Sequence, residues 1–151
     1  MTEETFIKPD RETKDETKAG SYFVSNYPPF SLWNEKDISC LPSMLNSPSP
    51  GPAPLGLYYH VPFCRKRCHF CYFRVYTDKN SNDVRRYLSA TMKELRAYAD
   101  SPYLKGRKPK FVYFGGGTPS YLSAQQLTQL TDEMKSILPW DEAEEVTFEC
   151  E

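Results

Sequence analysis

At 151 residues and a formal net charge of −1, the chain has the length of about one domain and no basic field, which excludes charge-driven nucleic-acid binding. Its apolar share of 39% is enough to build a core. No apolar run reaches membrane-spanning length and none near the N-terminus resembles a leader, so a cytoplasmic protein with no membrane span is expected; there, clustered cysteines more often bind metal or catalyse than form disulfides.

Residues 1–20 are charged and almost free of large apolar side chains, Phe6 and Ile7 excepted, and predict a disordered tail. Residues 21–56 read as an aromatic and Pro-rich extension. Tyr22, Phe23, Tyr27, Phe30 and Trp33 surround Pro28 and Pro29, which predicts a segment that packs on the domain behind it or lines a ligand site. Pro42, Pro48, Pro50, Pro52 and Pro54 then predict an extended, irregular connection over Leu41–Leu55.

From Leu57 the pattern alternates. Leu57–Val61 predicts a strand, stopped by Pro62. Asn82 or Asp83 is in place to cap a helix whose stripe is Val84, Tyr87, Leu88, Met92, Leu95 and Tyr98. Phe111–Phe114 predicts a second strand. Ser123 and Gln126 form a capping-box pair for a helix with Leu127, Leu130, Met134 and Ile137 on one face, ended by Pro139. Glu145–Cys150 alternates with strand period, Glu149 being opposite in phase to Val146, Phe148 and Cys150. Strand, helix, strand, helix, strand, with helices long enough for parallel crossovers, predicts an α/β fold. Two and a half such units fall short of the roughly 200 residues of a full barrel and leave a sheet edge open, so residues 57–151 read as the N-terminal portion of a larger core.

Cys64, Cys68 and Cys71, spaced C-x3-C-x2-C, lie in a loop of about twenty residues beyond the carboxyl end of the first strand, where parallel α/β folds place their chemistry. Three thiolates suit a soft metal centre with one coordination position left open, as in an iron–sulfur cluster. The other reading is a closed zinc site, which requires a fourth ligand from His60 or His69. Cys40 and Cys150 fit no ligand spacing and read as ordinary thiols. Arg65, Lys66, Arg67 and Arg74 flank the cysteines, either as a solvated basic loop or as cations serving a cluster, an anionic substrate or an anionic electron donor. Gly115-Gly116-Gly117-Thr118-Pro119 after the second strand is a tight turn or a place for close backbone approach to a ligand, and not a phosphate loop, since no Gly-Lys-Ser/Thr follows.

Tyr58-Tyr59-His60-Val61-Pro62-Phe63-Cys64 with Cys68 and Cys71 resembles the radical S-adenosylmethionine (SAM) enzymes, in their oxygen-independent coproporphyrinogen III oxidase-like branch, which includes haem chaperones. Tyr113–Ser120 and Glu145–Glu149 agree with that branch. The resemblance implies the N-terminal part of a partial radical SAM β/α barrel with parallel strands. It implies a 4Fe–4S cluster on Cys64, Cys68 and Cys71 whose fourth iron is chelated by SAM, and one-electron cleavage of SAM to methionine and a 5′-deoxyadenosyl radical. SAM contacts are implied for Gly116, Gly117, Thr118, Glu149 and Tyr58, with Phe70 near the adenine. No catalytic residue is assigned. The implied partners are a small-molecule substrate, a tetrapyrrole, and an electron donor such as flavodoxin or ferredoxin. The branch offers several outcomes: a coproporphyrinogen III oxidase-like enzyme of porphyrin biosynthesis, a haem chaperone, or a radical methylase, cyclopropanase or haem-degrading relative. A zinc-stabilised interaction module stands outside it. The oxidases proper carry a further cysteine two positions after the third cluster ligand; here Phe73 stands there.

Overall fold

The computed structural model describes residues 34–71 and 73–151. The expected tail and the aromatic run from Tyr22 to Trp33 lie outside the described residues. Two compact units part between Ile38 and Ser39. In the first, the short helix α1 (Glu35–Ile38) starts at Asn34, whose side chain accepts from Lys36 N at 2.9 Å and donates to Asp37 at 2.7 Å.

The second unit opens with α2 (Leu41–Leu45), which corrects the expectation of an irregular connection throughout Leu41–Leu55. Pro42 falls in the first turn, where its missing N–H has no helical partner to lose. The segment after α2 is tied down by Tyr103 N donating to Leu45 O (3.2 Å) and by Arg107 Nη2 donating to Ala53 O (2.8 Å).

The rest is β1 (Leu55–Val61), α3 (Ser81–Ala99), β2 (Pro109–Gly116), a 3-10 turn (Pro119–Tyr121), α4 (Ala124–Ile137) and β3 (Glu145–Phe148). The strands form one parallel sheet in the order β1-β2-β3, the α/β architecture expected from the alternation. Register aligns Tyr58 with Tyr113 and Thr147, and Tyr59 with Phe114 and Phe148. Residues in one row share a sheet face. On the face of Tyr59, Val61, Val112 and Phe114, the buried stripes of α3 (Val84, Met92, Leu95) and α4 (Leu130, Met134) complete the core. Trp140 closes its end, edge-on to Phe114. The opposite face is open to solvent, with Tyr58 and Phe111 about half exposed.

The cap of α3 departs from expectation. Asn80, not Asn82 or Asp83, is the N-cap: its Oδ1 accepts from Asn82 N (2.8 Å) and Asp83 N (3.1 Å), and Asp83 Oδ2 accepts from Asn80 N in return. Replacing Asn80 with alanine should destabilise the chain by about 1 kcal/mol, read as a lower Tm with the cysteine loop unaltered. An unchanged Tm would count against this capping box. The Ser123–Gln126 box of α4 is formed as expected.

Candidate functional site

Three strand ends build the site, and each contributes differently. After β1, Pro62 and Phe63 lead into Cys64, and the chain returns to the same point thirteen residues later. Tyr76 N donates to Pro62 O (2.8 Å) and Cys64 N donates to Tyr76 O (3.1 Å), a parallel bridge between Phe63 and Tyr76. The buried Phe63 ring meets Tyr87 edge-on at 5.3 Å and lies 5.8 Å from Tyr121. Arg74 and Lys79 lie over the Tyr76 ring, at 5.7 and 5.3 Å. Within the loop, Cys71 N donates to Cys68 O (3.1 Å) and Arg67 Nη2 donates to Cys71 O (2.8 Å). Arg67 and Arg74 therefore brace the loop. Cys64 is buried, Cys71 half-buried and Cys68 exposed.

After β2, Gly117 N donates to Val61 O (2.7 Å) and Thr118 N to Phe63 O (2.9 Å), so the glycine turn runs alongside the root of the cysteine loop. Gly116 has φ +116°, a conformation that side chains resist, and a Cβ there would fall 2.6 Å from His60 Cε1. At Gly117 a Cβ would meet Cys64 Sγ at 2.9 Å and Phe63 O at 2.9 Å. Thr118, itself buried, brings Oγ1 to 3.4 Å from Cys64 Sγ and 2.9 Å from Glu151 Oε2.

After β3, Glu149 N donates to Phe114 O (3.1 Å) and carries the ladder one residue past the strand. The Glu149 carboxylate is held on both oxygens, by Tyr113 Oη at 2.7 Å and by Gly116 N at 3.1 Å. On the same open face Tyr113 stacks on Tyr58, and Tyr58 Oη lies 3.1 Å from His60 Nδ1. Burial pushes the Tyr58 hydroxyl above its ordinary pKa and the His60 imidazole below its own, while the bond to Glu149 raises Tyr113.

A cavity of about 490 Å³ lies among these ends. Its lining includes Cys64, Cys68, Cys71, Phe70, Gly116, Gly117, Thr118 and Glu149, all but one of the residues singled out in the sequence. Tyr58 is the exception; it stands on the open face, next to Tyr113. Arg67, one of the cations flanking the cysteines, also lines the cavity, as do Phe73, Pro119, Cys150 and Glu151, to which the sequence assigned no ligand contact. The parallel register sets Tyr113 beside Tyr58, which no period within β2 alone signals, and Cys150 reaches the cavity because the chain leaves strand geometry after Phe148. Among the described residues no three of His, Cys, Asp and Glu converge closely enough to hold a metal. The thiols line one cavity without meeting at a point. Their chemistry nonetheless suits a soft iron–sulfur centre: one thiol fixed against a side-chain-free turn, two on an exposed loop, and a roomy cavity between.

The family model described as the radical SAM superfamily matches residues 58–149, more than half of the chain. The chain belongs to the radical SAM superfamily. The oxygen-independent coproporphyrinogen III oxidase of Synechocystis is 32% identical over 127 residues, which cover 83% of this chain and 27% of that protein. That of Helicobacter pylori strain J99 is 37% identical over 101 residues, 66% of this chain and 21% of the other. The heme chaperone HemW of Escherichia coli is 34% identical over 97 residues, 64% of this chain and 25% of the other. Among solved structures, coproporphyrinogen III oxidase (HemN) from Escherichia coli, a radical SAM enzyme, superposes with a TM-score of 0.59 at 29% identity, over 76% of this chain and 25% of that one. This radical SAM chain thus spans about a quarter of the length of the relatives it matches. Its parallel sheet with helices agrees with part of a radical SAM barrel. No helix among the described residues is long and apolar enough to cross a membrane.

Proposed function

We propose that this chain holds a 4Fe–4S cluster on Cys64, Cys68 and Cys71 and binds SAM beside it, against Gly116, Gly117, Thr118, Glu149, Tyr58 and Phe70. One observation carries the reading: the three thiols, the glycine turn and Glu149 line a single cavity beyond the carboxyl ends of the strands. When bound, the cluster supplies the electron that cleaves SAM to methionine and a 5′-deoxyadenosyl radical. The chain's own work is to bind and to orient. Gly117 keeps the approach to Cys64 free of side chains. Glu149, held on both oxygens, presents an ordered acceptor to ribose hydroxyls or an ammonium group. Phe70, 87% exposed, supplies an apolar ring that a bound adenine would cover. Residues 57–151 would form the N-terminal portion of the radical SAM core.

The substrate is a tetrapyrrole, on the strength of the coproporphyrinogen oxidase and heme chaperone relatives. The reaction is radical decarboxylation of the coproporphyrinogen III oxidase kind, with the electron supplied by a flavodoxin or ferredoxin in the cytoplasm. A second reading, a haem chaperone, is favoured by Phe73, which lines the cavity at the position where the oxidases proper carry a further cysteine.

Anaerobic reconstitution with iron and sulfide should give a brown protein with about four irons. Addition of SAM and dithionite should then release 5′-deoxyadenosine. Zinc bound in place of iron would sink the cluster reading. Haem bound stoichiometrically without consumption of coproporphyrinogen would decide for the carrier.

A further inference from the structure

Each glycine of the triplet makes room for a different neighbour. Gly116 faces His60, Gly117 faces Cys64, and Gly115 faces Glu149 together with Tyr113, which carries no role so far. A Cβ at Gly115 would fall 2.7 Å from Tyr113 Cε1 and 3.1 Å from Glu149 Oε2. The buried Gly115 backbone is therefore the floor on which the Tyr113–Glu149 hydrogen bond rests. Tyr113 is itself held in place. Its ring stacks on Tyr58 at 5.8 Å and 25°, and Tyr58 is held in turn by His60. The contacts close a circuit from His60 through Tyr58, Tyr113 and Glu149 to Gly116, which lies back against His60.

An exposed glutamate with one backbone partner keeps several rotamers, and a ligand that needs one of them must first order the rest. A second donor on the other oxygen removes that freedom before the ligand arrives. The Gly116 N–H occupies Oε2 and the Tyr113 hydroxyl occupies Oε1, and each oxygen keeps a lone pair for a ligand. From this geometry we infer that Tyr113 is a positioning residue: its hydroxyl, seated over Gly115, fixes the Glu149 carboxylate in the orientation that receives SAM. The inference rests on the SAM reading for its ligand and on the hydrogen-bonded pair for its mechanism, and the two separate experimentally.

The mechanism is read without SAM. With 3-fluorotyrosine in place of tyrosine, the ¹⁹F resonance that disappears in Tyr113→Phe belongs to position 113. Glu149→Gln should move that resonance, and its titration should fall toward that of an ordinary tyrosine, because the bond to the carboxylate is what raises it. A resonance indifferent to Glu149→Gln overturns the inference. The ligand is read by SAM binding to the cluster-loaded chain. Tyr113→Phe should weaken binding about five- to tenfold, in line with the loss of one ordinary hydrogen bond felt only through Glu149. In the Glu149→Gln background the same change should do almost nothing, since the group it positions has gone. Equal losses in both backgrounds would make Tyr113 merely structural and overturn the inference. If the wild-type chain loads its cluster and ignores SAM, the functional reading fails. The fluorine result still decides whether Tyr113 holds Glu149.

Discussion

Replacing Cys64 with serine is expected to leave the reconstituted chain almost without iron and unable to cleave SAM, while Cys40→Ser leaves both intact. Cys64 is the fixed member of the three thiols. It is 6% exposed, its N–H is bonded to Tyr76 O, and its sulfur faces Gly117 and Thr118. Serine brings a harder, shorter donor to a centre that selects thiolate. Loss of a mere outer partner lowers metal affinity about 10–100-fold, and loss of a ligand should exceed that range. The fold should survive, because a hydroxyl at this position still finds the Thr118 hydroxyl. Iron determination and a melt of the metal-free proteins separate the two effects. A Cys64→Ser protein with full iron would rule out the thiolate assignment, and a collapsed melt would make the iron loss uninformative about ligation.

The second large effect is expected at Gly117. Alanine there places a Cβ 2.9 Å from Phe63 O and 3.0 Å from Val61 O, as well as 2.9 Å from Cys64 Sγ. A flexible side chain could step aside, but these carbonyls accept from Thr118 N and Gly117 N and hold the glycine turn to the end of β1. Relief means breaking one of those bonds or pushing the sulfur out of place. Overpacking of this kind costs about 1–3 kcal/mol. Gly117→Ala should therefore lower Tm by several degrees and also reduce iron retention. Gly51→Ala is the contrast, since a Cβ at Gly51 meets nothing within 4 Å, and its Tm should match the wild type. A Gly117→Ala protein as stable as wild type, with full iron, would show that the turn tolerates a side chain and that the close approach has no functional weight.

What could be read in advance depended on how far apart the interacting residues lie along the chain. The helical stripe of Val84, Met92 and Leu95 and the Ser123–Gln126 box are local patterns, and both appear as expected. Local rules mislead where several residues can serve the same role. Asn80, Ser81, Asn82 and Asp83 can all cap a helix, and the true start is fixed by where α3 must lie to bury Val84. Pro42 looks like a breaker, yet it sits in the one turn of α2 that tolerates it. Parallel pairing hides more. Tyr113 and Glu149 are separated by the whole of α4, so β2 showed an apolar run while its hydroxyl partner stood on another strand. The bridge from Phe63 to Tyr76 has no sequence period at all. The thiol spacing and the glycine triplet were legible because chemistry restricts which residues can serve there. Tyr113 is one of several aromatics the same strand could carry.

That bridge has a consequence for the order of assembly. In a small zinc domain the metal itself draws the ligands together, and the chain without metal stays unfolded. Here the thirteen residues from Cys64 to Tyr76 are closed by two backbone hydrogen bonds and by aromatic packing of Phe63. Closing a loop of that length costs roughly 2 kcal/mol of chain entropy, and the core meets that cost before any metal is present. Cys68 and Cys71 stand on the arc beyond that closure, where a bound centre would have only a short segment left to order. A cluster bound to these thiols would thus meet a loop whose root is already closed by the chain's own hydrogen bonds.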